Sequence, residues 1–182
     1  MKMKKFVLSV LLVALVLSIA GSAFAFDQAK VRRLGEDKNK MTWWIVDYGK
    51  TDDGAPFAIS RKYYTNEAIK EETIDLLMSK YGLSAEVAGS LYFTEYGYEY
   101  TADGKQFAMT YLRHYDMLGN EIHGTVYDGS SDATQKTFSG IVAGHATAKC
   151  APYALGKPIP QPKAAAKKAT TKTPAKRIVR KK

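Results

Sequence analysis

The chain has 182 residues and carries 27 Lys+Arg against 18 Asp+Glu, a formal net charge of +9. That length suits one domain with a real core, and a single cysteine excludes an internally stapled disulfide scaffold. The sequence also lacks a C-x-x-C-H haem site, a phosphate-cradling glycine loop and a G-x-S-x-G elbow, so the best-marked enzyme classes have no signature here.

The first 25 residues read as a cleaved signal peptide. Lys2, Lys4 and Lys5 form a positive head, Phe6 to Ala20 is almost unbroken apolar sequence, and Ser22-Ala23-Phe24-Ala25 places small residues before a cut between Ala25 and Phe26. The rival, a transmembrane anchor, needs about 18 or more apolar residues, and this run falls short. The brevity of the segment fits a bacterial Sec-type signal, with the periplasm or the cell surface as destination.

The charge is unevenly spread. Residues 26–156 hold fourteen cations and all eighteen acids, a formal balance of −4. The remaining cations are three in the signal and ten in residues 157–182. A mildly acidic globular domain therefore precedes a strongly basic tail.

Within the domain, residues 41–48 are β-branched and aromatic and predict a strand buried on both faces from Trp43 to Val46. Lys50 to Pro56 is turn chemistry, and Phe57 to Tyr64 predicts a second strand. Thr65 or Asn66 caps a helix running to Tyr81, with Glu67, Glu71 and Glu72 at its positive end and Lys80 at the other. Ile69, Thr73, Leu76, Leu77 and Tyr81 give it one stripe facing the core, and Gly82 stops it.

Leu91 and Phe93 then alternate with Tyr92, Thr94, Tyr96, Tyr98 and Tyr100, which a period of two puts on opposite faces. The face with Leu91 and Phe93 is expected to be the buried one. Asp103-Gly104 signals a hairpin, and the returning strand, Gln106 to Asp116, sets Phe107, Met109, Tyr111, Arg113 and Tyr115 on one side. A turn at Asp116–Asn120 leads to Glu121–Tyr127. This predicts a three-stranded antiparallel meander, Ser90–Tyr127, packed beneath the helix 66–81. Tyr127 to Thr137 reads as polar loop. Ser139 caps a short small-residue helix, Ile141 to Cys150, halted before Pro152. The fold class is therefore α+β, a small antiparallel sheet with one main amphipathic helix and a short C-terminal one.

Tyr92, Tyr96, Tyr98 and Tyr100 form a candidate ligand face for a flat molecule or stacked bases. They are equally ordinary surface on a half-covered sheet, where tyrosine has high strand propensity. His114 and His123 fall on adjacent strands and can be cross-strand neighbours, but no third ligand is evident, so no metal and no cofactor is expected. His145 and Cys150 are five apart and do not make a ready thiolate–imidazole pair. Glu95 and Glu99 share a strand face that reads as solvated. Catalytic residues are not expected. The alternative is a small envelope enzyme with a site around His114 and His123. Cys150 is either a buried, reduced thiol in a monomer or the source of an intermolecular bond.

Three stretches, Met41-Thr-Trp-Trp-Ile-Val46, Tyr115-Asp116-Met-Leu-Gly119-Asn120 and Ile141-Val-Ala-Gly144 through Ala148-Lys-Cys150, carry a resemblance over residues 26–151. In them the chain resembles the surface-adhesin protein E-like family of small bacterial secreted proteins. The resemblance implies an α+β fold, and adhesion to a host surface protein. Two features depart from the family. Tyr98 to Tyr100 stand where its first cysteine falls, leaving Cys150 to match the second, and the family's usual opening strand is missing unless Phe26-Asp27-Gln28 is its remnant.

The tail contains Lys157, Lys163, Lys167, Lys168, Lys172, Lys176, Arg177, Arg180, Lys181 and Lys182, with no acid and no aromatic. Pro158, Pro160, Pro162 and Pro174 oppose a continuous helix, and the composition forms no core, so the tail is expected to be disordered in isolation. Ten cations outside the cell seek anions: an envelope polymer, lipid headgroups, or extracellular nucleic acid. Without aromatics between the lysines there is no base stacking, hence no sequence selectivity. The chain thus reads as a non-enzymatic exported binding or adhesin-like protein held by its tail, or else one whose tail is only a solubilising appendage.

Overall fold

The computed structural model describes residues 27–157, so the expected signal peptide and all of the basic tail but Lys157 lie outside it. The strands are β1 (Arg32–Glu36), β2 (Thr42–Lys50), β3 (Pro56–Tyr63), β4 (Phe93–Tyr100), β5 (Gln106–Tyr115), β6 (Glu121–Val126) and the two-residue β7 (Ser139–Gly140). The helices are α1 (Glu67–Tyr81), α2 (Ala85–Gly89) and α3 (Ala146–Ala154). Among the described residues no helix is long and apolar enough to cross a membrane.

All strand pairs are antiparallel, and the sheet runs β1-β2-β3-β4-β5-β6 in chain order, with β7 pairing the start of β5. The fold is α+β, and the meander has six strands rather than three. Helices α1 and α2 interrupt it between β3 and β4. The first strand, β1, pairs across Trp43 and Trp44 of β2, and its sequence, RRLGE, carries no alternation that would have marked it.

Four of the five main ladders carry a bulge. The extra residues are Leu34 in β1, Val46 in β2, Thr110 in β5 and Ile122 in β6. Each bulge shifts the face parity of its strand and increases local twist. The bulge at Thr110 overturns the expectation that Phe107 through Tyr115 present one face. Phe107 opposes Tyr100, whereas Tyr111 opposes Gly97 on the other side of the sheet.

The helix that covers the sheet is α3. Its Cys150, Ala151 and Ala154 pack on Ile45, Ala58, Tyr98 and Tyr100, with Tyr48, Phe107 and Tyr153 around them. Small side chains on the helix let it sit close over large rings on the strands, as interior packing density requires. The expected helix at 141–150 is displaced to Ala146–Ala154. It starts where the His145 side chain accepts from the Thr147 amide, and it carries Pro152 within its last turns. Ser139, expected as its cap, belongs to β7 instead.

Helix α1 has the predicted ends, with Asn66 capping the Ala68 amide and Gly82 in the left-handed region at φ 70°. Its role differs from the expected one. Of the expected stripe only Leu77 is buried, while Leu76 is 48% and Tyr81 38% exposed. Leu77 joins Ala88 of α2, Leu91 and Ile122 in a small satellite cluster at one end of the sheet. The start of α1 is tied to the β1–β2 turn, where Thr65 Oγ1 donates to Lys40 O and Asn66 Nδ2 donates to Asn39 O. So α1 flanks the sheet and α3 forms the core with it.

Candidate functional site

The tyrosine file is core, not surface. Tyr98 and Tyr100 are 2% and 1% exposed, beneath α3. Trp43, Tyr96, Tyr98 and Phe107 extend the ring contacts, with Trp43–Tyr96 centroids 5.3 Å and Tyr98–Phe107 centroids 5.8 Å apart. Each buried phenol finds a partner, as the interior demands. Tyr100 donates to Thr147 O at 3.0 Å and Ser60 Oγ donates to Tyr98 at 3.5 Å. Burial pushes both phenols far above the usual tyrosine pKa. Of the candidate ligand face only Tyr92 is well exposed, and its ring leans on Tyr63 and Phe93. Tyr96 is half-buried at the margin of the core, and Tyr98 and Tyr100 are out of reach of a flat ligand.

The opposite sheet face carries an ion pair in place of the expected solvated carboxylates. Arg61 Nε donates to Glu95 Oε2 at 2.8 Å, and Tyr111 donates to Glu95 Oε1 at 3.0 Å. The Arg61 guanidinium also lies 4.6 Å from the centre of the Phe93 ring, which itself stacks on Tyr115 at 4.9 Å. Phe93 and Leu91 are both buried, as expected, but by this cluster and the α1–α2 satellite respectively. Gly97, two residues beyond Glu95, is required because a Cβ there would collide with the Tyr111 ring. Glu99, further along, pairs with Lys136 at 3.0 Å.

Between α3 and α1 the covered side of the sheet is polar. Lys62 of β3 has its ammonium 4.7 Å from the Tyr64 ring centre and 5.8 Å from that of Tyr96. Burial works against its charge, but the Tyr96 and Tyr64 phenols outweigh that and hold its pKa above the ordinary value. Next to it, Thr94 Oγ1 bonds both the Tyr64 hydroxyl at 2.8 Å and His114 Nδ1 at 2.9 Å. His114 is 6% exposed and registers directly opposite His123 on β6, with ring centres 6.1 Å apart. Burial, then the neighbouring His123 and Lys62, lowers the His114 pKa to about 4. Burial lowers that of His123 as well. The Tyr81 ring of α1 covers His123 at 4.0 Å. The expected cross-strand pairing is thus present, and the structure adds Thr94, Tyr64 and Tyr81 around it. Among the described residues no cluster of three or more His, Cys, Asp and Glu converges.

A cleft of about 710 Å³ opens between the β1–β2 turn and the start of α3. Asp37, Lys38, Trp43, His145 and Lys149 are among its lining residues. Asp37 accepts from Trp43 Nε1 at 2.9 Å and from the Met41 amide at 3.0 Å, which fixes the turn at the cleft's edge. Burial opposes the Asp37 charge, but these bonds hold its pKa below the usual value. No sequence signal marked this cleft, because its two walls are more than 100 residues apart and meet only through α3.

Cys150 is fully buried, as one of the two sequence readings held, and is unpaired within the described residues. Burial pushes its thiol up to about 12, so it is an inert core sulfur rather than a nucleophile. His145, at the N-terminus of the same helix, turns its Nδ1 to Thr147 and not to the thiol. Of the residues expected to bind polyanions, Lys163 through Lys182 lie outside the described part, and Lys157 is its last residue. Set against known proteins, the chain matches no family model, no curated protein and no solved structure.

Proposed function

We propose that the protein is a non-enzymatic exported binding protein, held to an anionic partner by its basic C-terminal segment. The observation that carries this reading is the partition of charge: ten cations and no acid in residues 157–182, against a balance of −4 in residues 26–156. The partner is an anionic envelope polymer or lipid surface, or nucleic acid bound without sequence selectivity, since the segment has cations but no stacking rings. The reading places the protein in the periplasm or at the cell surface as a monomer, with cleavage after Ala25. Adhesion to a host surface protein rests on the family resemblance alone.

The domain contributes the rest. With the tyrosine file buried, the cleft lined by Asp37, Trp43, His145 and Lys149 is the concave surface that suits a small polar ligand. The reading is tested by retention on a sulfated-polysaccharide resin. The chain from residue 26 to 182 should bind at low salt, and the chain lacking 157–182 should flow through with an unchanged melting temperature. Equal retention of both would refute the tether.

A further inference from the structure

We propose that His114 and His123 together hold one soft monovalent metal ion, of the Cu(I) class, between their rings. This rests on the sheet geometry and not on the tail. The bulge at Ile122 sets His123 directly across from His114, and the ring centres stand 6.1 Å apart. A metal–imidazole bond is about 2 Å long and a ring centre lies about 1 Å behind its nitrogen, so two rings facing across one ion stand about 6 Å apart.

The surroundings fit ligation. His114 Nδ1 is bonded to Thr94 Oγ1 at 2.9 Å, and that hydroxyl is bonded in turn to Tyr64. In the tautomer where Nδ1–H donates to Thr94, Nε2 keeps its lone pair, the arrangement that commonly orients a metal-binding histidine. His123 Nδ1 is buried with no hydrogen-bond partner, although interior polar atoms are almost always satisfied. An ion on that nitrogen supplies what the protein does not.

The chemistry selects the ion. Divalent Zn(II) takes four ligands, and no third His, Cys, Asp or Glu joins this pair among the described residues. The Glu121 carboxylate, two residues from His123, is engaged by Arg113 at 3.6 Å rather than free to neutralise a dication, and Lys62 stands in the same cross-strand row as Thr94 and His114, so a second positive charge is already close. Imidazole suits copper among the transition metals, and a two-coordinate monovalent ion meets both constraints.

The experiment titrates Ag(I), a redox-inert stand-in for Cu(I), into the full chain with ¹⁵N-labelled histidine and follows the ring nitrogens. One equivalent should shift His114 and His123 together and leave His145 unmoved. Thr94→Val should weaken binding about tenfold, as loss of an orienting partner does. His123→Gln should abolish the His114 response while the metal-free melting temperature confirms folding. If that variant does not fold, the paired shift at one equivalent decides alone. Rings that stay unmoved while Ag(I) settles on Cys150 would overturn the proposal. So would a His114 shift that survives His123→Gln, or Zn(II) binding as tightly as Ag(I).

Discussion

His114 is surrounded by Thr94 and Tyr64, with Lys62 on β3 and His123 on β6 as the charged or titratable groups acting on it. Its folded pKa of about 4 lies below the unfolded value of about 6.5. Between those pH values the unfolded chain binds the extra proton, so stability is full above about pH 6.5 and falls as pH drops towards 4. The loss amounts to about 3 kcal/mol for this one group. His114→Asn should flatten the dependence of melting temperature on pH across that window, and an unchanged slope would count against the burial argument. Cys150 gives a second residue-scale expectation. A maleimide should label it only at the rate of global unfolding, and a non-reducing gel should show a monomer. Rapid labelling in native buffer would contradict the core position.

At the scale of elements, α1 and α3 exchange the roles that their sequences advertise. Helix α1 is long, well capped and visible by period, yet a single residue, Leu77, is buried within it. Helix α3 is nine residues long, rich in alanine and interrupted by Pro152, yet five of its residues are buried. Alanine has no bulk to announce an apolar stripe, but it is what allows close approach to Tyr98 and Tyr100. Ala151→Glu should therefore destabilise the domain by about 3 kcal/mol or more, since it places a charge against the aromatic core. Leu76→Glu on α1 should stay within about 0.5 kcal/mol. Thermal melts of the two variants check the assignment, and the reverse order would restore α1 as the core helix.

For the whole molecule, the acidic domain and the basic segment are separable in charge, and their contributions should separate in experiment. The proposed binding by ten lysines and arginines in an acid-free segment would draw on counterion release and need no fixed geometry. On duplex nucleic acid the slope of log affinity against log salt should be about −0.9 per phosphate contacted, and on single strands about −0.7. On an anionic lipid surface each cation engaged adds about 1 kcal/mol. Scrambling residues 157–182 at constant composition should leave retention intact, measured as the eluting salt concentration. Loss of retention on scrambling would mean that the segment is read by sequence.

Local chemistry determined much of this protein. The turn at Asp103-Gly104, the caps of α1 at Asn66 and Gly82, and the strands at Trp43 and Phe107 were legible because each depends on neighbours a few residues away. So was the placement of His114 and His123 on adjacent strands, which needs only one hairpin, whereas the bulge at Ile122 set them directly opposite. Tertiary structure decided which faces are buried. Alternation shows that Tyr96, Tyr98 and Tyr100 share a side, but not that a helix some fifty residues later will cover it. Bulges at Val46, Thr110 and Ile122 then shift parity at single positions that composition does not mark. The buried Arg61–Glu95 pair and the Asp37–Trp43 cleft likewise arise from contacts between strands and loops distant in sequence. Periodicity reports what a segment offers, and burial depends on which distant segment accepts it.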